Sequence, residues 1–505
     1  MKLLRWPATG DIGGAGSGSA PPLRARSARF QSSVIVALAA PIAVGAIVSL
    51  RGGSAEQTVG LASIAGVPLM VLAAVWAPEA LVGFIVFAQI LVQFQLPTPV
   101  ATILPGSVAL LVFVAVRLRE IIGTVSKPGY MLATILVGLY VAAHALQFLH
   151  VAPAPAARQI VTATSVALFV LLGMYIGSRS RNLAAAGIGA AGGLLVLAVL
   201  ALAQNLHMVP GFVPLSAARD LLWIPGLFVR TYGLSSVPAG QLLALSMPWL
   251  ACTALFARRL SIRAAAVTGM TVIFLASLLL FQSRSMVLEG LLAPLIVWVL
   301  AGRSIPGVVS PTSARQAIRM ALEDKRTRTV ALIVAGAGVI ALVVGASLAV
   351  ADQVSTMNRT NSYGAAIRYF LDYPWAVMVG TNTSTFHQTV NQTVNAFLAV
   401  PDQVSPDAPV HNFIIETLAA GGIVAAVSLF LLAVGPLLVI ARAQLMRGRI
   451  SPAAATAMAA VLVAVVEASV TPAIANSGAL WITLGWGVAV AASAADPHDP
   501  VVRPR

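Results

Sequence analysis

This chain is poor in everything from which a water-soluble surface is built. Charged side chains make up only 9% of its 505 residues, and acids are the scarcest, with 16 Asp and Glu against 31 Lys and Arg. A soluble protein needs roughly a quarter of its residues charged, so a soluble enzyme or scaffold is excluded. Cysteine occurs once, at Cys252, which rules out an internal disulfide and any cysteine metal cluster. The longest polar stretch holds only scattered acids, Asp352, Asp372, Asp402 and Asp407. They form no tight group of the kind that binds a hard cation, and no metal site or cofactor is expected.

Apolar sequence is what the chain has in excess: 59% of residues are hydrophobic and the mean hydropathy is +0.92. Crossing roughly 30 Å of hydrocarbon takes about 20 apolar residues in a helix, and such windows recur from end to end. They predict an all-α, polytopic membrane protein with about fourteen transmembrane helices, at 32–50, 59–77, 79–95, 100–117, 129–149, 158–177, 183–205, 237–257, 263–282, 285–301, 329–350, 411–440, 453–475 and 477–495. Pro97, Pro99 and Pro105 interrupt the region of the third and fourth.

The net charge of +15 does not point to nucleic acid. Lysine and arginine mark cytoplasmic loops. With the N-terminus inside, all but seven of the 31 basic residues fall on the cytoplasmic side, the exceptions being Arg51, Arg158, Arg219, Arg230, Arg284, Arg359 and Arg368. The expected organisation is therefore a disordered cytoplasmic N-terminus (1–31), rich in Gly, Ser, Ala and Pro over Gly10–Pro22. Helices 1–11 follow (32–350), then one large extracytoplasmic loop containing short helices (351–410). Helices 12–14 (411–495) and a cytoplasmic tail (496–505) complete the chain. The location implied is the cytoplasmic membrane, crossed many times, with both termini cytoplasmic.

The 351–410 island is too polar to cross a bilayer and too long for a simple turn. It carries Arg359, Arg368 and His387, and ends at His411-Asn412. Arginines on the outer side run against the usual bias. Arg230 lies in Val229-Arg230-Thr231-Tyr232-Gly233, just before a helix. Arg284 lies in the short turn Gln282-Ser283-Arg284-Ser285. Arg368 lies in Ile367-Arg368-Tyr369-Phe370, ahead of Tyr373-Pro374-Trp375 and Gly380. A guanidinium is permanently charged, and its planar fork matches phosphate oxygens. Several of them converging at a membrane surface would suit a diphosphate at headgroup level; singly, each could pair with a lipid headgroup or a nearby acid.

His411 stands at the entrance of an apolar helix that begins Phe413-Ile414-Ile415-Glu416. A neutral imidazole there could accept a proton at working pH, or could serve as an interfacial residue. Asn412 could orient a sugar hydroxyl or cap the helix. His387 falls in a segment whose residues Phe386, Val390, Val394 and Phe397 share one helical face, and reads as a solvated neighbour of it. His144 lies inside a span and reads as a packed polar residue.

In order along 225–435, these landmarks resemble the O-antigen ligase and O-antigen polymerase family of membrane glycan transferases. They are Arg230 with its Gly and Pro neighbours, Ser283-Arg284, Arg368 with Tyr373-Pro374 and Gly380, and His411-Asn412 followed by an apolar run and Gly422. Ala420 stands where members often carry an acid, and Asp407-Ala408-Pro409-Val410 where a second histidine is frequent.

The resemblance implies a donor glycan on a polyprenyl diphosphate, a glycan or glycolipid acceptor, and transfer to an acceptor hydroxyl at the outer face, without a metal. Membrane lipid is the surrounding partner. In that scheme Arg284 and Arg368 stabilise the departing diphosphate, and His411 takes the acceptor's proton. Arg230, Arg359, Tyr369 and Asn412 bind substrate. The rival is a flippase for a lipid-linked oligosaccharide, or another transporter, which should bury polar groups inside the bundle. Only Gln89, Gln93, His144, Glu289 and Glu467 are candidates. A transferase using polyprenyl-phosphate sugars usually needs an acid pair in an early outer loop, where this chain has only Glu56.

Overall fold

The computed structural model describes residues 66–91, 96–97, 102–103, 105–206, 237–281, 283–301, 353–397, 410, 412–446, 450–470 and 478–495. These form an α-helical bundle. In chain order the helices are α1 (Val67–Trp76), α2 (Pro78–Phe87), α3 (Pro105–Val125), α4 (Pro128–Ala145), α5 (Pro153–Gly177) and α6 (Ser180–Asn205). Next come α7 (Val237–Phe256), α8 (Leu260–Leu279), α9 (Arg284–Leu300), α10 (Gln353–Asp372), α11 (Pro374–Val379) and α12 (Thr383–Phe397). The last are α13 (Phe413–Met446), α14 (Pro452–Val470) and α15 (Gly478–Ala495). The β structure among the described residues is one two-residue antiparallel ladder, β1 (Leu96–Pro97) on β2 (Thr102–Ile103).

Seven of these helices, α4, α5, α6, α7, α8, α13 and α14, are long and apolar enough to cross a bilayer, and α1, α2, α9 and α15 are shorter apolar helices. The protein is thus a multi-pass helical membrane protein. The spans expected at 32–50 and 329–350 lie outside the described residues. The windows at 59–77 and 79–95 correspond to two ten-residue helices, α1 and α2, with a break at Ala77. Pro78 opens α2, because its missing N–H is tolerated only in a first turn. The window at 100–117 corresponds to α3, which starts at Pro105 and runs past Arg117 with a kink there.

Small residues line several of the helix contacts, beside large buried side chains such as Trp481, Trp486 and Phe113. The buried part of α14 is mostly alanine (Ala454, Ala455, Ala457, Ala459, Ala460, Ala464 and Ala468, with Thr456, Val461, Val463 and Glu467), whereas Leu462 is exposed. Large aliphatics such as Leu132, Val199 and Leu438 are exposed along the bundle. Lipid tails give no hydrophobic reason to hide every leucine, and small residues at an interface bring backbones together. The α5–α15 contact is of this kind: a side chain on Gly485 would strike the α5 backbone at Val170 and Gly173.

Helices α10, α11 and α12 form a cap with its own small core of Ala365, Ala366, Tyr369, Ala376, Phe386, Val390 and Val394, joined by Val410 and Ala419. The apolar face of α12 read from the sequence is thus buried at Phe386, Val390 and Val394. The cap sits on one end of the bundle, where α4 ends and α5, α7, α9 and α13 begin. At the other end, α3 meets the start of α4 and the end of α5.

Candidate functional site

Two glycines seat the cap. Gly380, after α11, has φ 78° and ψ −176°, and Gly422, inside α13, has φ 69° and ψ −171°. Both lie in a backbone region open essentially only to glycine. A Cβ at Gly422 would strike the backbone of Met378 and Val379, and one at Gly380 would strike the Ala420 backbone and the Gln147 amide. Thus α11 lies directly against α13. The break at Gly422 also divides α13 into an entry segment, Phe413–Gly421, and a longer apolar piece.

Polar side chains from the turn that follows α4 and from the first turns of α5 then tie down the turn between α11 and α12. The Gln147 amide donates to the carbonyls of Thr381 (3.1 Å) and Ala420. Gln159 donates to the Thr381 carbonyl (3.1 Å) and the Thr383 hydroxyl (3.2 Å). His150 Nε2 reaches the Gly380 carbonyl at 3.2 Å, and the Thr381 N–H donates to the Ala419 carbonyl at 2.7 Å. His144 is buried, bonds through Nδ1 to the Tyr140 carbonyl at 2.8 Å and fits against Gly421, where a side chain would collide with its ring. It is the packed polar residue the sequence suggested.

The most chemical contact joins α12 to the entry of α13. His387 Nε2 lies 2.8 Å from Glu416 Oε2 and 3.0 Å from Oε1. Glu416 Oε1 also accepts the N–H of Val410 at 2.5 Å. The side chains are 15% and 8% exposed, so the pair is nearly enclosed yet has an opening. His387 is therefore no solvated bystander, as its sequence reading had it. The signal that could have found the pair was Glu416 itself: an acid in the first turn of an apolar helix demands a partner.

The residues nominated from the sequence fall as follows. His411 and Arg230 lie outside the described residues. Arg284 opens α9 and Arg359 lies in α10, with side chains outside the described set. Arg368 is exposed on α10. Tyr369 is buried in the cap core between Phe370, Tyr373 and Phe386, with its hydroxyl 3.4 Å from Thr381 Oγ1. Asn412 caps α13, its Oδ1 accepting from Ile414 (3.0 Å) and Ile415 (3.2 Å), the capping alternative read from the sequence.

One further acidic pair sits at this end of the bundle. Glu289 of α9 and Glu467 of α14 are fully buried and interact with each other, and Gly240 of α7 makes room for Glu467. Two residues beyond Glu467, the Ser469 carbonyl accepts from the cap's Tyr363 at 3.4 Å, so the pair lies near the cap rather than at mid-depth. Among the described residues no His, Cys, Asp and Glu grouping suits a metal ion. No protein-family model matches the chain, and no curated protein is significantly similar to it.

Proposed function

We propose that the protein transfers or polymerises a glycan carried on a polyprenyl diphosphate, joining it to an acceptor hydroxyl at the outer face of the cytoplasmic membrane. The observation that carries this reading is topological. The helix that follows Arg230 (α7), the helix that Arg284 opens (α9) and the helix that follows His411-Asn412 (α13) all begin at the end of the bundle on which the Arg368-bearing cap is seated. Basic residues of the 117–128 and 179–181 segments gather at the opposite end, which suits a cytoplasmic face there.

The chemistry needs two things. Negative charge building on the leaving diphosphate must be stabilised, and the acceptor hydroxyl must lose a proton as it attacks. In this reading Arg230, Arg284 and Arg368 serve the first need, and Arg359 contributes to binding the donor. A neutral imidazole serves the second, and His411 is the one the sequence motif nominates. Purified protein in detergent, given a polyprenyl-diphosphate oligosaccharide and a glycan acceptor, should form a new glycosidic bond detectable by mass spectrometry. His411→Ala should lower the rate, and by about 100- to 10,000-fold where His411 itself takes the proton. Arg368→Lys should be severely impaired, because an ammonium lacks the planar fork. A wild-type protein that forms no bond from any lipid-diphosphate donor sinks the proposal.

The buried Glu289–Glu467 pair favours a second reading, a lipid-linked oligosaccharide flippase or other transporter. Two facing carboxylates in an apolar bundle are costly unless a proton or cation sits between them. Movement of a labelled lipid-diphosphate glycan across sealed vesicles, with no new bond formed, would select it.

A further inference from the structure

We infer that His387, oriented by Glu416, is the group that takes the acceptor's proton, so that the catalytic base belongs to the cap and not to the His411 motif. The inference rests on the transferase reading above and deepens it.

The argument starts from which nitrogen carries hydrogen. Glu416 Oε1 accepts the Val410 N–H, and with the carboxylate ionised His387 Nε2 donates to Oε2 at 2.8 Å. A neutral imidazole with its hydrogen on Nε2 has its lone pair on Nδ1. Among the described residues Nδ1 makes no hydrogen bond, and the side chain keeps 15% of its surface open. A carboxylate that fixes the tautomer of a histidine and then faces the imidazolium that forms is a recurrent way of building a general base. Position adds to this. The Val410–Glu416 bond ties the pair to the residues that lead into α13, and the cap core behind it (Phe386 and Val390, both buried) holds α12 in place.

In the step that follows, the acceptor oxygen forms a bond to the donor's anomeric carbon while its proton passes to His387 Nδ1. The bond between that carbon and the diphosphate oxygen breaks, and the diphosphate leaves with the electron pair. Glu416 faces the resulting imidazolium, which returns its proton to solvent. His411 is then left to contact the donor.

His387→Gln separates a base from a brace. Its amide N–H can still donate to Glu416, but it has no basic nitrogen. We expect kcat to fall about 100- to 10,000-fold with the donor KM unchanged, and the thermal midpoint of the purified protein to stay near wild type. Turnover by His387→Ala should be partly restored by added imidazole, which a bracing role would not allow. Near wild-type kcat in His387→Gln, with a wild-type enzyme that forms glycosidic bonds, overturns the inference and leaves the transferase reading intact. If His387→Gln does not fold, His387→Ala decides: failure of imidazole to restore turnover overturns the inference. A wild-type protein that forms no glycosidic bond overturns the transferase reading and this inference with it.

Discussion

Glu120 and Glu416 sit at opposite ends of the bundle and are used in opposite ways. Glu120, near the end of α3, is surrounded by groups that cannot change. Arg117 pairs with it and also donates to the carbonyls of Ala74 (2.8 Å) and Val75 (2.9 Å) at the end of α1. Arg179 lies 3.6 Å away and stacks over the Tyr175 ring, whose hydroxyl donates to Glu120 at 2.9 Å. Glu416 instead holds a backbone N–H and one imidazole. An acid bound by permanent cations can only fasten, whereas an acid bound to a histidine with a second, open nitrogen can pass the effect of a proton on. The scarcity of acids in this chain makes the contrast readable, because each carboxylate has few competing roles.

The largest effect that would test the comparison is loss of the seat on which the Glu416 end depends. Gly422→Ala forces a side chain into a glycine-only conformation and into the backbone of α11. The strain alone costs about 1–3 kcal/mol, and the clash adds to it. We expect the cap to become accessible to protease while α-helical content, measured by circular dichroism, is kept. An intact, protected cap in this variant would mean that the break at Gly422 is not what joins the two.

Next in size is a matched pair of substitutions. Glu416→Gln should lower glycan transfer about 100-fold or more, because an amide can no longer fix the tautomer or face the imidazolium. Glu120→Gln should leave transfer unchanged. Equal losses in the two variants would erase the distinction between fastening and chemical carboxylates.

A smaller effect is expected from Gln147→Leu, which strips hydrogen bonds from the buried Thr381 and Ala420 carbonyls. The cost should be about 1–3 kcal/mol, read as a lower thermal midpoint in detergent. A midpoint equal to wild type would show that Gln159, His150 and the Thr381 N–H secure the turn without Gln147.

How much of this could be read from the chain itself follows a physical line. Apolar windows of about 20 residues announce spans because bilayer thickness is fixed, and α4 to α8, α13 and α14 appear where such windows predicted. The face made by Phe386, Val390 and Val394 was visible because helical periodicity is local. Gly380 and Gly422 stood out as landmarks, but a composition window reads straight through Gly422, since positive φ leaves no mark on hydropathy. His387 and Glu416 are 29 positions apart, and only the packing of α12 on α13 brings them together. Gln147 and Gln159 were hidden for a related reason: each has its partner more than 200 positions away.

The smallest effect falls at the Glu120 end, and its sign follows from the charges. Burial pushes the Glu120 carboxyl up, but hydrogen bonds from Arg117 and Tyr175, with the charges of Arg117 and Arg179, outweigh it and hold the group below its ordinary value. Its contribution to stability is therefore complete above the usual carboxylate range, and is lost as pH falls through that range toward the depressed value. Because the side chain is 41% exposed, water screens the cluster, and about 0.5–1 kcal/mol is the most it should supply. Melting of wild type and Glu120→Gln in detergent should differ slightly at neutral pH and converge in acid. A gap that persisted in acid would assign the loss to packing and not to charge. The Glu120 end would then no longer be the electrostatic counterpart against which the Glu416 end is defined.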